Sequence, residues 1–118
     1  MHWQTQPYQE VKIVRCVRGA VLDVVVDLRP QSRTYKQWVA VELTEDNRKA
    51  LYVPKDFAHG YLTLCDESEV IYFVSEFYQP GYERGLRWND AAIGIEWPSD
   101  VPIRHMTDKD RSWPDFQG

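Results

Sequence analysis

The chain has three histidines, His2, His59 and His105, and they limit the chemistry that it can perform. No two of them form the His-x-His pair typical of metal-binding barrels, so the sequence predicts no metal site. It also lacks the motifs of acyl-enzyme hydrolases and of the common nucleotide-binding folds. The residues favour acid–base chemistry without a cofactor, in which a histidine or carboxylate takes a proton and a tyrosine gives one.

His59 has the most informative sequence neighbours. Pro54 fixes a turn before it, and Gly60 lets backbone or ligand approach closely where an apolar strand resumes. A histidine in such a place can face a cavity. The alternative is a core or turn histidine with satisfied hydrogen bonds, and the neighbouring residues alone leave both interpretations open.

Short runs rich in β-branched residues recur between turn residues, which predicts an all-β sandwich or barrel. Residues 12–28, interrupted at Arg18-Gly19, predict two antiparallel strands joined by a tight connection. Further strands are predicted at 36–43, 58–64 and 69–75. Thr44 is a candidate N-cap for one short helical turn, and the polar tail from Ser99 onward is expected to wrap around the barrel.

In the strand at 21–28, Asp23 and Asp27 alternate with apolar residues and share one face with Val21 and Val25. If that face lines the mouth of a barrel, the two carboxylates can touch a ligand. Charged residues are mostly exposed, so the sequence favours a solvated outer face for both.

The bulk properties predict one domain, residues 1–118, in a chain with 43% hydrophobic residues. The net charge of −4 and the lack of a basic run argue against nucleic acid as a partner. No apolar run approaches the roughly 20 residues of a membrane helix, so no membrane partner is predicted. Cys16 and Cys65 form no Cys-x-x-Cys motif, which favours reduced thiols and a cytoplasmic location.

Several separate motifs occur in one order at consistent spacing. The segments lie at 1–4, 11–19, 23–29, 53–61, 70–72, 77–80, 87–90, 93–98 and 107–110. Together they resemble the dTDP-4-dehydrorhamnose 3,5-epimerase family. The resemblance implies a cupin-type antiparallel β-barrel, or jelly roll, and no cofactor. It also implies epimerisation of a nucleotide-linked 4-keto-6-deoxy sugar, by removal of a proton beside the C4 ketone at C3, C5 or both.

The resemblance implies catalytic roles for three residues. His2 is the general base, Asp110 orients it, and Tyr72 is the acid on the opposite face of the sugar. If the family resemblance is set aside, the residue types favour other interpretations. His2 is then expected to be a frayed terminal residue, Tyr72 a core tyrosine, and Asp110 a turn or helix-cap residue.

Five further residues are implied to bind the substrate. Lys12 and His59 contact it near its carbonyl, and Tyr78 stacks on the thymine ring. Glu83 and Lys109 match other substrate-contacting positions. Without the family, the two lysines are solvated surface charges.

The sequence departs from the family pattern ahead of His2. Family members carry a longer N-terminal region, which includes a strand exchanged between subunits and an arginine that holds the diphosphate. The chain is therefore interpreted as a shortened epimerase. The alternatives are a non-catalytic cupin that binds a sugar nucleotide or a partner subunit, and a fragment of a longer epimerase. A sheet without its covering strand exposes an edge, so the sequence predicts a homodimer formed by sheet extension.

Overall fold

The computed structural model describes residues 1–118, which form eight strands and one short helix. The elements are β1 (His2–Gln4), β2 (Lys12–Arg18), β3 (Ala20–Asp27), β4 (Trp38–Thr44), β5 (Ala50–Val53), β6 (Phe57–Thr63), β7 (Glu69–Val74), β8 (Glu83–Gly85) and α1 (Asp108–Arg111). The all-β prediction is confirmed, and the predicted strands correspond to β2, β3, β4, β6 and β7. The sequence did not predict β1, β5 and β8, because three or four residues are too few to show an alternating pattern.

The strands form two antiparallel sheets. The larger has the order β4-β3-β6-β1-β8 and the smaller β5-β2-β7. The predicted pairing of β2 with β3 is wrong, because the two strands lie in different sheets. Gly19 has φ of +76°, so it turns the chain from one sheet to the other instead of closing a hairpin.

Strand β3 is buried on both faces, which explains its nearly continuous apolar sequence. One apolar cluster fills the space between the sheets and consists of Val14, Cys16, Val21, Val25, Leu43 and Val53. The other lies on the far side of the larger sheet and consists of Met1, Val24, Val26, Leu28, Ala58, Leu86 and Ile93. Part of the C-terminal third of the chain covers this second cluster, with Ile95, Trp97 and Phe116 packed against it.

The expectation that Asp23 and Asp27 lie on a solvated face is wrong. Asp23 is 0% and Asp27 2% exposed. Each carboxylate is compensated by a partner from outside its own strand. Asp23 pairs with His59, and Asp27 accepts hydrogen bonds from the loop that follows β3. Charge pairing therefore outweighs the usual preference of aspartate for water.

The predicted helical turn after Thr44 is a hydrogen-bonded turn. The Asn47 backbone N–H donates to Thr44 Oγ1 at 2.9 Å, as an N-cap would accept it, but the chain then enters β5. The one helix is α1, in the tail, where Thr107 is the N-cap. The tail wraps around the sheets as predicted, and no helix is long and apolar enough to cross a membrane.

Candidate active site

A cavity of about 1350 Å³ opens between the two sheets. Seven of the eight predicted site residues line it: His2, Lys12, His59, Tyr72, Tyr78, Glu83 and Asp110. Lys109 lies outside the lining and reaches the site through Glu83. His105, for which no role is predicted, also lines the cavity.

The sheet register places His2 beside His59. Strand β1 lies between β6 and β8, with His2 opposite His59 on one side and Gly85 on the other. Directly opposed residues point to the same face of a sheet, so both imidazoles face the space between the sheets. A Cβ at Gly85 would collide with the Trp113 ring. The missing side chain thus makes room for Trp113, whose ring meets the His2 ring edge-on at 6.0 Å.

The His2 ring contacts a carboxylate at each nitrogen. Nδ1 lies 2.7 Å from Glu83 Oε1, and Nε2 forms a short hydrogen bond with Asp110 Oδ1. Glu83 reaches the ring diagonally, since it opposes Gln4, two residues after His2 on the same face. Asp110 comes from α1, where its backbone N–H donates to Thr107 Oγ1. The sequence-predicted pair of His2 and Asp110 is thus in contact, although its roles stay a prediction.

Both carboxylates are held in the ionised form. Burial raises the pKa of Glu83, but hydrogen bonds from Lys109 and His2 outweigh it, and the net pKa is lowered. Burial likewise raises the pKa of Asp110, but the hydrogen bonds from Thr107 and His2 outweigh it, and the net pKa is lowered. The floor of the cavity around His2 therefore carries two negative charges with nearby cationic partners.

Glu83 is the centre of a small polar network. Its Oε2 accepts from the Tyr78 hydroxyl at 3.2 Å and pairs closely with Lys109 Nζ. The hydrogen bond with Glu83 raises the pKa of Lys109. Lys109 Nζ also lies 6.0 Å from the centre of the Tyr78 ring. The network brings three of the predicted substrate contacts together beside His2.

His59 is paired with a carboxylate that the sequence analysis did not assign to the site. Its Nε2 lies 2.5 Å from Asp23 Oδ1, and the two side chains are 8% and 0% exposed. The other oxygen, Asp23 Oδ2, has no hydrogen-bond partner. The alternation in β3 puts Asp23 on the inward face with Val21 and Val25. The general exposure of charged residues favours a solvated face for Asp23, but the pairing with His59 compensates its buried charge.

The smaller sheet supplies a cation and a phenol across the cavity. Lys12 opposes Val74, and Tyr72 opposes Val14, so both side chains share the inward face of that sheet. The Lys12 side chain is 13% exposed, and its Nζ lies 3.3 Å from Glu10 Oε1. Lys12 is therefore no solvated surface charge. Tyr72 is 57% exposed and stands toward the open side of the cavity.

A second phenol, Tyr61, lies beside His59 in the same lining, with ring centres 6.5 Å apart. Burial raises its pKa, and the charges of Tyr72 and Asp23 raise it further. The phenol therefore stays a hydrogen-bond donor at neutral pH. No group of three histidine, cysteine or acidic side chains is arranged to hold a metal ion. The arrangement can do acid–base chemistry, because the larger sheet supplies two imidazoles and the Tyr61 phenol, and the smaller sheet supplies the Lys12 ammonium and the Tyr72 phenol across the cavity.

A model of the dTDP-4-dehydrorhamnose 3,5-epimerase family matches residues 1–118. The chain belongs to this family. Its cupin-type jelly-roll fold is shared with solved relatives, and the predicted fold class is confirmed. The Bacillus anthracis epimerase, solved with TDP and PPi bound, has a TM-score of 0.92 at 42% identity. The match covers 98% of this chain and 65% of that one.

Two further relatives bear on the site. The Shigella flexneri dTDP-4-dehydrorhamnose 3,5-epimerase is 46% identical over 110 residues, covering 93% of this chain and 60% of that protein. The Legionella pneumophila epimerase was solved in complex with dTDP-4-keto-L-rhamnose, and it has a TM-score of 0.87 at 30% identity. That match covers 99% of this chain and 67% of that one. The chain therefore spans about three fifths of the length of the curated relatives.

Proposed function

We propose that this chain is an isomerase that epimerises a nucleotide-linked 4-keto-6-deoxy sugar of the dTDP-4-dehydro-6-deoxyglucose type. One observation supports this most directly. His2 and Tyr72 come from opposite sheets and line the same cavity, which Lys12 and His59 also line. A base and an acid on two sides of a sugar ring are what inversion at carbon requires. The ligand of the Legionella relative is a sugar nucleotide of this class, and the Bacillus relative binds the thymidine nucleotide TDP.

The reaction needs no change of oxidation state. A ketone at C4 acidifies the hydrogens on C3 and C5, and His2 takes one of them as a proton. The electron pair of the broken C–H bond moves into an enolate, whose negative charge rests on the C4 oxygen. Lys12 and His59 donate to that oxygen. Tyr72 then gives a proton to the same carbon from the opposite face, and the ketone reforms with inverted configuration.

We propose that the nucleotide binds at the Glu83 end of the cavity. Tyr78 is 62% exposed there, which leaves its ring free to stack on a thymine base. Glu83 and Lys109 lie beside it and supply polar contacts. The proposal thus orients the substrate with its base over Tyr78 and its sugar between His2 and Tyr72.

The test is proton exchange at the two sugar carbons. The full chain is incubated with dTDP-4-keto-6-deoxyglucose in D₂O, and deuterium at C3 and C5 is followed by NMR. We expect uptake at one or both carbons and a loss of about 10³-fold in the His2→Asn variant. Absence of uptake above background contradicts the catalytic proposal. Calorimetric binding of a thymidine nucleotide without uptake would identify a non-catalytic sugar-nucleotide binder instead.

We further propose that residues 1–118 act as one cupin-type unit and that two copies form a homodimer by sheet extension. Strand β7 supports this, because it is an edge strand of the smaller sheet. Ile71 and Phe73 on this strand are 46% and 70% exposed, and Ile13 and Tyr52 extend the same outer face. A cytoplasmic location remains a prediction from the sequence.

The dimer is tested by light scattering at micromolar concentration, where a dimeric mass is expected. Phe73→Glu places a charge on the exposed edge strand and is expected to shift the mass toward the monomer. Glu69→Gln lies on the same strand and serves as the control. A monomeric mass for the unmodified chain contradicts the proposal.

A further inference from the structure

The two hydrogen bonds of the His2 ring restrict its protonation. A neutral imidazole has one N–H donor and one acceptor nitrogen, whereas an ionised carboxylate only accepts. Glu83 and Asp110 are both held ionised, as the lowering of each pKa shows. Both contacts of His2 can therefore be made together only when the ring carries a proton on each nitrogen.

A ring with two N–H groups has no lone pair with which to take a proton from carbon. One of the two contacts must open before His2 can act as a base. The nitrogen that is freed then faces the substrate, and the other keeps the ring in place. The contact that opens therefore determines which ring nitrogen acts as the base.

The remaining partners of each carboxylate favour opening at Glu83. Asp110 has His2 as its one ion-pair partner, so losing that contact would leave it only the longer-range charges of the Met1 amino group and Lys109. Glu83 also holds Lys109 and Tyr78, both through Oε2. Its charge stays compensated when His2 leaves, and this makes the Glu83 contact the less costly one to break.

We propose that Glu83 is a positioning residue that holds Nδ1 of His2 and releases it when the sugar enters, so that Nδ1 is the nitrogen that removes the proton. Asp110 keeps Nε2 throughout, and Lys109 and Tyr78 retain Glu83 after the release. The inference rests on the proposed function and deepens it. It assigns Glu83 a part in the catalytic cycle beyond that of a substrate contact.

Other charged and titratable groups face His2 from the elements around it. They are His59 on β6, Lys12 on β2, Tyr72 on β7, and the amino group of Met1, whose charge interacts with both Asp110 and Glu83. None of them occupies Nδ1. Glu83→Gln removes the charge at Nδ1, leaves these groups in place, and supplies an amide that can donate to a neutral ring.

The first experiment uses the full chain with ¹⁵N-labelled histidine at pH 7, and the His2 signals are assigned with His2→Asn. We expect both ring nitrogens of His2 to be protonated, and Nδ1 to lose its proton in Glu83→Gln. Glu76→Gln is the matched control, because Glu76 also lines the cavity but does not contact His2. Unchanged His2 signals in Glu83→Gln overturn the proposal, whether or not the chain turns over substrate.

The second experiment measures the pH dependence of deuterium uptake from D₂O. In Glu83→Gln the rise of the rate with pH is expected to begin about one pH unit lower than in the unmodified chain, because the freed ring is a base at lower pH. A uniform loss of rate at every pH, with a raised KM, would show a substrate contact only and overturn the proposal. If the unmodified chain shows no uptake at any pH, the proposed function fails and the NMR measurement alone decides the role of Glu83.

Discussion

Tyr72 is the residue whose removal separates the two halves of the proposed reaction. Its hydroxyl is needed to return a proton, whereas His2, on the opposite sheet, removes one. Tyr72→Phe is therefore expected to keep deuterium uptake within about tenfold, because His2 exchanges its proton with solvent and returns deuterium to the same face. Net inversion is expected to fall by about 10²-fold or more.

Uptake and inversion are measured in one NMR time course of the C3 and C5 signals. Tyr52→Phe is the control, since that phenol is also exposed but lies on the outer face of the smaller sheet. Equal losses of uptake and inversion in Tyr72→Phe would contradict the assignment of Tyr72 as the returning acid.

The sequence placed the ionisable residues of the site better than it explained them. His2, Tyr72 and Asp110 were found through the family pattern. Seven of the eight predicted residues line the cavity, and Lys109 lies outside the lining. Asp23 was missed because its burial depends on His59, which lies 36 residues away in the chain. A local pattern shows that an aspartate faces inward, but only the fold shows what compensates it.

At the scale of the element, Asp27 fixes the loop that connects β3 to β4. Its carboxylate accepts from the Arg29 backbone and guanidinium, from the Ser32 hydroxyl and from the Thr34 hydroxyl. The hydrogen bond from Arg29 is the largest of the effects that hold the pKa of Asp27 well below its usual range. A carboxylate with a depressed pKa stabilises the folded chain above its unfolded pKa of about 4 and loses that effect as the pH falls.

Asp27→Asn is accordingly expected to lower the free energy of unfolding by about 2 kcal/mol at pH 7. The difference should narrow by about 1 kcal/mol at pH 3, where the unfolded carboxyl is largely protonated. Urea denaturation at both pH values measures this. Asp46→Asn, at an exposed turn residue, is the control. A difference that stays constant between pH 7 and pH 3 would show that the ionised carboxylate is not responsible.

Gly85 couples strand β8 to His2 through Trp113. A methyl group at this position would displace the Trp113 ring, which lies against His2. Gly85→Ala is therefore expected to cost about 1–3 kcal/mol of stability. It should also reduce deuterium uptake by about tenfold, because His2 loses part of its support.

The Trp113→Leu background tests whether Gly85→Ala acts by displacing the Trp113 ring. With a smaller side chain at 113, the added methyl group has room, so Gly85→Ala is expected to be nearly neutral there. Urea denaturation and deuterium uptake are measured for the four chains of the cycle. Equal costs in both backgrounds would mean that Gly85 acts through something other than the ring.

The sequence pattern predicts the long strands well. Strands β3 and β6 were predicted to within a residue or two because their alternation extends over seven or eight residues. The sequence pattern does not predict which strands pair. It pairs β2 with β3 because they are consecutive, although they lie in different sheets. Sheet membership depends on which face is buried against which cluster, and in this fold consecutive strands alternate between the sheets except for β3 and β4, which pair with each other.

At the scale of the whole molecule, the proposed catalytic pair joins two distant parts of the chain. His2 and Asp110 are 108 residues apart, and the strands that carry most of the core lie between them. The sheets therefore build a cavity that needs the tail to complete it. The sequence predicted a wrapping tail, but a four-residue helix with no buried residue leaves no periodic signal.

That helix sets the resistance of the site to denaturant. Since α1 buries no residue, it can detach without disturbing either apolar cluster, and its local opening free energy should lie well below that of global unfolding. Deuterium uptake into the substrate is expected to disappear at a lower urea concentration than the circular-dichroism signal of the sheets. Amide hydrogen exchange should be faster at 108–111 than in β3. Coincident transitions would show that the tail and the sheets unfold as one cooperative unit, whereas separate ones would make the docked tail the least stable part of the candidate site.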